Sequence, residues 1–169
     1  MEIEKAIKTA IDYETRVRDV YREAAAVSKN EIGKRVFEKL AVEEQGHVDY
    51  LQAQLKNWQK TGKLSPEKLQ TAIPSKGAID DGVSKLKDKM KNPDLYGEVQ
   101  MLGKALDVEI KTSDFYREMV SFLKDEPQKM FARFLEIEEG HLALVQAEID
   151  SITGSGFWFD FQEFSLETE

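Results

Sequence analysis

The chain has 169 residues, a formal net charge of −8 and no cysteine. This length predicts one domain. The negative charge argues against nucleic acid and anionic membranes as partners, and the lack of cysteine excludes disulfides, thiolate metal sites and cysteine nucleophiles. No apolar run approaches the roughly 20 residues that span a bilayer, and the first residues show no signal-peptide pattern. We therefore expect a soluble, cytoplasmic protein.

The first half of the chain predicts two long helices. Apolar residues recur every three to four positions from about residue 2 to residue 27, which is typical of an amphipathic helix. Ser28-x-x-Glu31 then indicates a capping box that opens the second helix. Gly62 indicates its end, because glycine is the preferred residue just after a helix.

A long connection of about residues 62–93 follows, with three prolines and several lysines. A short helix within it is predicted by the amphipathic stripe Ile79, Val83, Leu86 and Met90. Asn92-Pro93 indicates the start of a third long helix that we expect to run to about Leu123.

Asp125-Glu126-Pro127 repeats this start signal, and a fourth long helix should run to about Thr153. Gly154-Ser155-Gly156 should end it, so we predict a bundle over residues 1–154 and an aromatic tail over residues 155–169. We expect the tail to cover an apolar groove of the bundle or of a dimer partner through Phe157, Phe159, Phe161 and Phe164. The whole pattern predicts an all-α four-helix bundle with a long crossover between helices two and three.

The two halves of the chain resemble each other. Residues 10–23 and 105–118 are identical at seven of fourteen positions, and helix two aligns with helix four at an offset of 94. The chain is therefore a duplicated helical hairpin, and any site on the axis between the halves receives the same residues twice. Gly46 and Gly140 are one such pair, and a close approach of another helix would explain glycine at both positions.

Both histidines of the chain follow a glutamate by three residues, as Glu44-x-x-His47 and Glu138-x-x-His141. Residues three apart share one helix face, so each pair can bind one metal ion.

Four glutamates, one per long helix, also lie within the apolar stripes: Glu14, Glu44, Glu109 and Glu138. A buried, unpaired carboxylate is costly, and Arg18 is the one cation beside these stripes. Two divalent cations would neutralise all four carboxylates.

Three simpler interpretations stay open at this point. The Glu-x-x-His pairs could be exposed and inert. The histidines could be hydrogen-bonded core residues without metal, which leaves the glutamates unexplained. A single structural zinc ion is a third interpretation, although it does not use six ligands. Carboxylate and imidazole ligands suit iron or manganese, and zinc fits the same set.

The set of one glutamate from each of two helices and Glu-x-x-His from each of the other two resembles the ferritin-like di-iron carboxylate proteins. The separate hairpins and the crossover are most similar to rubrerythrins, over about residues 1–153. This resemblance implies a ferritin-like bundle with two iron ions per chain (manganese or zinc as substitutes) and bridging roles for Glu44 and Glu138. The implied ligands are Glu14, Glu44, His47, Glu109, Glu138 and His141.

The resemblance also implies a catalytic role for Tyr21 and Tyr116, which follow Glu14 and Glu109 by seven residues. Tyrosines so placed in the family hydrogen-bond ligand carboxylates and join redox steps. Ordinary core packing is the alternative for both.

Two departures from the family pattern are visible. Rubrerythrins usually carry a rubredoxin domain with a four-cysteine iron, so a chain without cysteine should take electrons from a separate donor such as a rubredoxin. Rubrerythrins also tend to have an extra glutamate where this chain has Thr112. The six-residue set is therefore closer to that of bacterioferritin or of a simple oxidase.

The resemblance implies a di-iron oxidoreductase that reacts with hydrogen peroxide or dioxygen, in an oxidative-stress role. We expect a homodimer. A ferroxidase or iron-handling protein of ferritin type is one alternative. The other is a non-enzymatic, metal-stabilised interaction module whose aromatic tail docks a partner.

Overall fold

Four long helices, arranged as two hairpins, make up most of the protein. The computed structural model describes residues 2–84, 96–155 and 157–158. Its helices are α1 (Ile3–Val27), α2 (Glu31–Thr61), α3 (Lys76–Ser84), α4 (Tyr96–Phe122) and α5 (Asp125–Ser155). α1 packs mainly on α2, α4 packs mainly on α5, and contacts between α1 and α4 join the hairpins. This is the predicted all-α, ferritin-like bundle with a crossover between the second and the third long helix.

The described helix ends lie close to the start and stop signals predicted from the sequence. Gly62 ends α2 with φ +69°, in the left-handed region that glycine adopts without strain. α5 begins at Asp125 as predicted and runs to Ser155, two residues beyond the expected end. The predicted short helix in the connection is α3, with Ile79 fully buried. The expected start at Asn92-Pro93, the side chain of Val83 and the residues Leu86 and Met90 lie outside what the structure describes.

The predicted capping box at Ser28 is wrong. The cap of α2 is Asn30, whose side-chain oxygen accepts hydrogen bonds from the backbone N–H groups of Ile32 and Gly33. Ser28 instead follows the last turn of α1, and its hydroxyl donates to Glu98 of α4 at 2.8 Å. The tertiary contact with α4 therefore decides which of the two polar residues caps the helix.

The crossover is held against the bundle by polar contacts from both hairpins. Gln54 of α2 exchanges two hydrogen bonds with the backbone of Ser65, at 2.8 and 3.1 Å. Arg133 of α5 donates to the carbonyl of Leu69 at 3.1 Å. The segment between α2 and α3 thus runs back along the bundle and bridges α2 and α5.

Two apolar clusters fill the described part of the bundle. The first contains Tyr21, Phe37, Leu40, Leu102 and Leu144. The second contains Ile7, Leu51, Tyr116, Phe131 and Phe134. Every long helix contributes to both clusters, so each passes from one cluster to the other part-way along its length. The polar residues of the candidate site lie on those intervening turns.

The start of the aromatic tail folds onto the end of the bundle. Trp158 is buried and contacts the ring of Phe37 edge-on, with 5.3 Å between the ring centroids. Phe157 is 45% exposed. Phe159, Phe161 and Phe164 lie outside the described residues. Among the described helices, none combines the length and the apolar character that crossing a membrane requires.

Replacing Gly33 with alanine should destabilise the fold, because the new Cβ would lie 2.4 Å from a ring carbon of Trp158. Overpacking of this kind costs about 1–3 kcal/mol. Gly103→Ala is the control, since a Cβ there meets nothing within 4 Å. That substitution in α4 should stabilise by up to about 1 kcal/mol. Denaturant titration gives both free energies of unfolding, and equal values for the two variants would contradict the placement of Trp158.

Candidate metal centre

Four helices bring six acidic and imidazole side chains into one buried layer between the apolar clusters. α1 and α4 supply one glutamate each, and α2 and α5 supply one glutamate and one histidine each. All six are at most 1% exposed: Glu14, Glu44, His47, Glu109, Glu138 and His141. The structure therefore brings together every residue that the sequence analysis named as a metal ligand.

These side chains form two overlapping groups whose ligand atoms lie within 4.8 Å of one another. One group consists of Glu14, Glu44, His47 and Glu138, and the other of Glu44, Glu109, Glu138 and His141. Glu44 and Glu138 belong to both groups. A carboxylate has two oxygens, so each of these two residues can face two neighbouring ions at once.

The Nδ1 atom of His47 faces three carboxylates. It lies 3.2 Å from Glu14, 3.0 Å from Glu44 and 3.1 Å from Glu138. A ring nitrogen carries at most one proton, so it cannot hydrogen-bond all three. Ligand atoms around an ion with bonds near 2.1 Å are about 3.0–3.4 Å apart. The spacing of these atoms therefore fits a coordination shell.

The Nδ1 atom of His141 repeats this pattern in the second group. It lies 2.6 Å from Glu44, 3.4 Å from Glu138 and 3.5 Å from Glu109. The two imidazole rings are stacked nearly parallel, with centroids 5.4 Å apart. Both rings turn the same nitrogen towards the carboxylates.

Several buried polar atoms of this layer have no hydrogen-bond partner among the described residues. They are Oε2 of Glu44, Oε2 of Glu109, both side-chain oxygens of Glu138, and Nε2 of both histidines. Arg18 does not neutralise them, because its guanidinium pairs with Asp19 and Gln45. Unsatisfied carboxylate oxygens with imidazole nitrogens beside them are the donor set that iron and similar divalent ions prefer. The residues present therefore fit a dinuclear metal centre.

Comparison with known families agrees with this geometry. The family model Rubrerythrin matches residues 5–149. The chain belongs to the rubrerythrin family. Comparisons with curated proteins and with solved structures gave no significant match. Membership implies di-iron binding, and the two buried Glu/His groups of this rubrerythrin-family chain are where such ions would bind.

Burial and mutual repulsion perturb the carboxyl groups of this rubrerythrin site. Burial, together with the charge of Glu14, raises the pKa of Glu44 to about 8. Burial and the charge of Glu138 raise the pKa of Glu109 to about 8. Burial also acts to raise the pKa of Glu14, but the neighbouring His47 outweighs it and the pKa falls to about 2. The metal-free site therefore keeps protons on some of its carboxyl groups at neutral pH.

The histidines are perturbed towards their charged forms. Burial acts to lower their pKa values, but the surrounding carboxylates outweigh it, with Glu44 as the largest contributor at His47 and Glu138 at His141. Both pKa values therefore lie well above the ordinary value of 6.5. Protons in the metal-free protein supply positive charge that metal ions would supply when bound.

The two buried tyrosines hydrogen-bond glutamates of the opposite hairpin. Tyr21 of α1 donates to Glu109 of α4, and Tyr116 of α4 donates to Glu14 of α1. Burial, followed by the charge of the glutamate that accepts the bond, raises both tyrosine pKa values well above 10. Both hydroxyls therefore keep their protons at neutral pH. Their catalytic role stays a prediction, and their contact with the expected ligands is a feature of the structure.

Thr112 stands one turn after Glu109 and is fully buried. Its hydroxyl donates to the backbone carbonyl of Val108 at 2.8 Å. The hydroxyl proton of Thr112 is thus engaged in a hydrogen bond within α4. Thr112 therefore offers no carboxylate at the position where the family tends to have a further glutamate.

The expected close approach of another helix is not found at Gly46, and at Gly140 it is limited to the crossover and the first residue of α3. A Cβ on Gly46 would meet nothing within 4 Å. A Cβ on Gly140 would lie 3.0 Å from the carbonyl oxygen of Pro74, which belongs to the crossover and not to a neighbouring helix. Gly140 is explained by the crossover, and Gly46 has no packing explanation.

The sequence analysis missed Glu43, which lies beside the centre. Its Oε2 atom is 3.6 Å from Nε2 of His47 and 3.6 Å from Nε2 of His141. A signal was present, because Glu43 precedes His47 by four residues and so shares its helix face. The adjacent Glu44 fits the apolar stripe better, and helical periodicity therefore did not single out Glu43.

The metal-free protein should lose stability as the pH rises from about 5 to about 9. Glu44 and Glu109 bind protons more tightly in the fold, with pKa values of about 8, than in the unfolded chain, where the value is 4.5. Their stabilising contribution is complete below the unfolded value and is lost as the pH rises through the folded value. The raised histidine pKa values also make the stability fall as the pH rises. The pKa of Glu14 is lowered instead, so its contribution to stability changes only below a pH of about 4.5.

Bound metal replaces these protons, so the loaded protein should not show this loss. The measurement is thermal unfolding of chelator-treated and zinc-loaded protein across that pH range. The gap in melting temperature should widen with pH. A constant gap would contradict the proton content inferred for the metal-free site.

Proposed function

We propose that this rubrerythrin-family protein is a di-iron oxidoreductase that reduces hydrogen peroxide or dioxygen to water. The observation that carries the proposal is the pair of buried groups that share Glu44 and Glu138. Shared carboxylates hold two ions close together, so both can act on one small oxidant. Two bound Fe(II) ions would supply the two electrons that convert one hydrogen peroxide and two protons into two waters. Dioxygen needs four electrons and four protons, so its reduction to two waters would require the irons to be reduced again by the separate electron donor.

The six proposed ligand residues would form two neighbouring iron sites. Glu14 and His47 would complete one iron site, and Glu109 and His141 the other. Four carboxylates carry a charge of −4, which two divalent ions balance. The apolar clusters on either side keep water out of the layer, which strengthens the electrostatic interactions within it. The fold thereby favours metal ions whose ligands are oxygen and nitrogen atoms of the protein.

The tyrosines support this arrangement from outside the ligand set. Tyr21 and Tyr116 donate hydrogen bonds to Glu109 and Glu14, each from the other hairpin. Such bonds fix the orientation of a ligand carboxylate. They also keep two phenolic protons beside the layer in which the oxidant would take up protons.

A surface cavity beside the layer is where a small oxidant would approach it. A cavity of about 410 Å³ opens on the surface between α2 and the crossover, and His47 and Glu43 form part of its wall. Gly46 also lines it, and the absence of a side chain there leaves it open. This size admits peroxide or dioxygen. Electrons would come from a separate redox protein, because a chain without cysteine has no cysteine-bound iron of its own.

Ferroxidase activity is the second candidate. It is favoured by Thr112, whose hydroxyl is bonded within α4 and which leaves a six-residue set like that of bacterioferritin. In this case Fe(II) would be the substrate, and the product Fe(III) would leave the site. The two candidates share the metal centre and differ in whether iron is retained.

Glu138→Gln should abolish binding of both irons, because Glu138 belongs to both groups. Glu139→Gln is the matched control, since the next side chain on α5 is 44% exposed and its contact is a surface pair with Arg117. Elemental analysis after anaerobic Fe(II) loading should give two irons per chain for the wild type and for the control, one for each group. Equal iron content in both variants would refute the dinuclear centre.

Mixing the loaded protein with limiting oxidant separates the two candidates. A peroxide reductase should oxidise its two irons with one peroxide, keep both bound and resume after reduction. A ferroxidase should oxidise added Fe(II) well beyond two per chain and release or deposit it. Stopped-flow absorbance with later elemental analysis gives both quantities. If neither oxidant reacts faster than with Glu138→Gln, the oxidoreductase proposal fails.

A further inference from the structure

Glu43 is an acidic residue beside the centre that belongs to neither dinuclear group. Its Oε2 atom lies 3.6 Å from Nε2 of His47 and 3.6 Å from Nε2 of His141. One carboxylate oxygen therefore stands at equal distances from the outer nitrogens of both rings. The rings are inclined by only 10° to each other, so both point the same edge towards it.

The crossover fixes the position of this carboxylate. Oε1 accepts a hydrogen bond from the backbone N–H of Ala72 at 2.5 Å, and Oε2 accepts one from the hydroxyl of Thr71 at 2.9 Å. Glu43 is thus held by the crossover. A carboxylate fastened in this way can orient the groups that it faces.

The outer nitrogens of the histidines need such a partner. Both Nδ1 atoms face the carboxylate layer, so Nε2 carries the ring proton when Nδ1 binds an ion. Both Nε2 atoms are buried and lack a hydrogen-bond partner among the described residues. Glu43 is the acidic group in ion-pair range of both, at a distance slightly longer than a hydrogen bond. An acceptor at this place fixes the tautomer and raises the basicity of the ligating nitrogen.

The two halves of the duplicated chain differ at the position of this carboxylate. At the offset that relates His47 to His141, the counterpart of Glu43 is Ile137, which is buried in the second apolar cluster. The ligand residues occur twice, but this carboxylate occurs once and serves both histidines.

A third metal ion is the other occupant that this geometry could take, because Glu43, His47 and His141 also meet the distance condition for a metal group. Binding there would require both rings to lose the Nε2 proton while Nδ1 binds the dinuclear centre. Each imidazole would then be fully deprotonated beside five carboxylates. This charge balance is unfavourable, and the hydrogen bonds from Thr71 and Ala72 already hold the carboxylate.

We propose that Glu43 is a positioning residue of the metal centre, which accepts the Nε2 protons of His47 and His141 and ties both ligands to the crossover. The inference rests on the proposed metal centre. It adds that one carboxylate outside the ligand set orients both imidazoles, so that the crossover backbone contributes to metal affinity.

The test uses the full chain, with Co(II) as the metal probe added anaerobically to metal-free protein. Glu43→Ala removes the acceptor, Glu43→Gln keeps a neutral acceptor of the same shape, and Glu38→Gln makes the same charge change at an exposed position of α2. The Ala variant should bind Co(II) 10–100-fold more weakly, the usual effect of removing such a partner. The Gln variant should fall between, and Glu38→Gln should match the wild type.

The decisive readout is the proton NMR spectrum of the Co(II)-loaded proteins, in which the Nε2 protons of ligand histidines are strongly shifted. The wild type should show two such exchangeable signals that are protected from solvent. Glu43→Ala should lose them or exchange them much faster, and Glu43→Gln should retain both at changed positions because its acceptor is neutral. Glu43→Met fills a similar volume without an acceptor oxygen, so it should lose both signals as Glu43→Ala does, whereas loss of packing alone would be reversed by methionine.

Four results would overturn the proposal. Unchanged signals and affinity in Glu43→Ala would exclude it while leaving the dinuclear centre intact. If the Ala variant does not fold, unchanged signal positions in Glu43→Gln would have the same meaning. A third Co(II) in the wild type, absent from Glu43→Ala, would assign Glu43 as a ligand instead. A wild type that binds no Co(II) would remove the proposed metal centre and this inference with it.

Discussion

Four carboxylates in a water-excluded layer are the constraint on which the rest of this structure depends. Each is fully buried, and the layer has apolar clusters on both sides. Charges in such a place must be neutralised by protons or by cations. The high pKa values of Glu44 and Glu109 show the first solution, and the convergence of Nδ1 atoms and carboxylate oxygens is suited to the second. Metal binding to this layer would therefore stabilise the fold.

Much of the fold could be predicted from the sequence, because long amphipathic helices and glycine or proline punctuation are local signals. Gly62 ends α2 and Asp125 begins α5 as expected. The cap at Ser28 could not be predicted in the same way. Ser28 and Asn30 are both good capping residues, and the choice between them depends on Glu98, which is distant in sequence and binds the Ser28 hydroxyl. Local patterns offer candidates, and tertiary contacts select among them.

In the candidate site, too, local patterns predicted some features and tertiary contacts determine the others. Periodicity identified the six residues of the two groups because each lies on an apolar stripe, although their role as ligands is still a prediction. It could not identify Glu43, since that residue matters only where the crossover lies over α2. Nor could it show that Tyr21 and Tyr116 reach glutamates of the opposite hairpin. Both features depend on how distant segments pack, which helical spacing does not encode.

Each dinuclear group takes three residues from one hairpin and one glutamate from the other. A single hairpin therefore contains no complete group, but two identical hairpins would contain two. A symmetric homodimer of such hairpins would therefore suffice to build the same pair of groups. In a homodimer every substitution appears twice, so an acidic residue at the position of Glu43 would also have stood at the position of Ile137. A single chain is free of that restriction, so one half carries the polar contact of Glu43 while the other has the apolar Ile137 at the equivalent position.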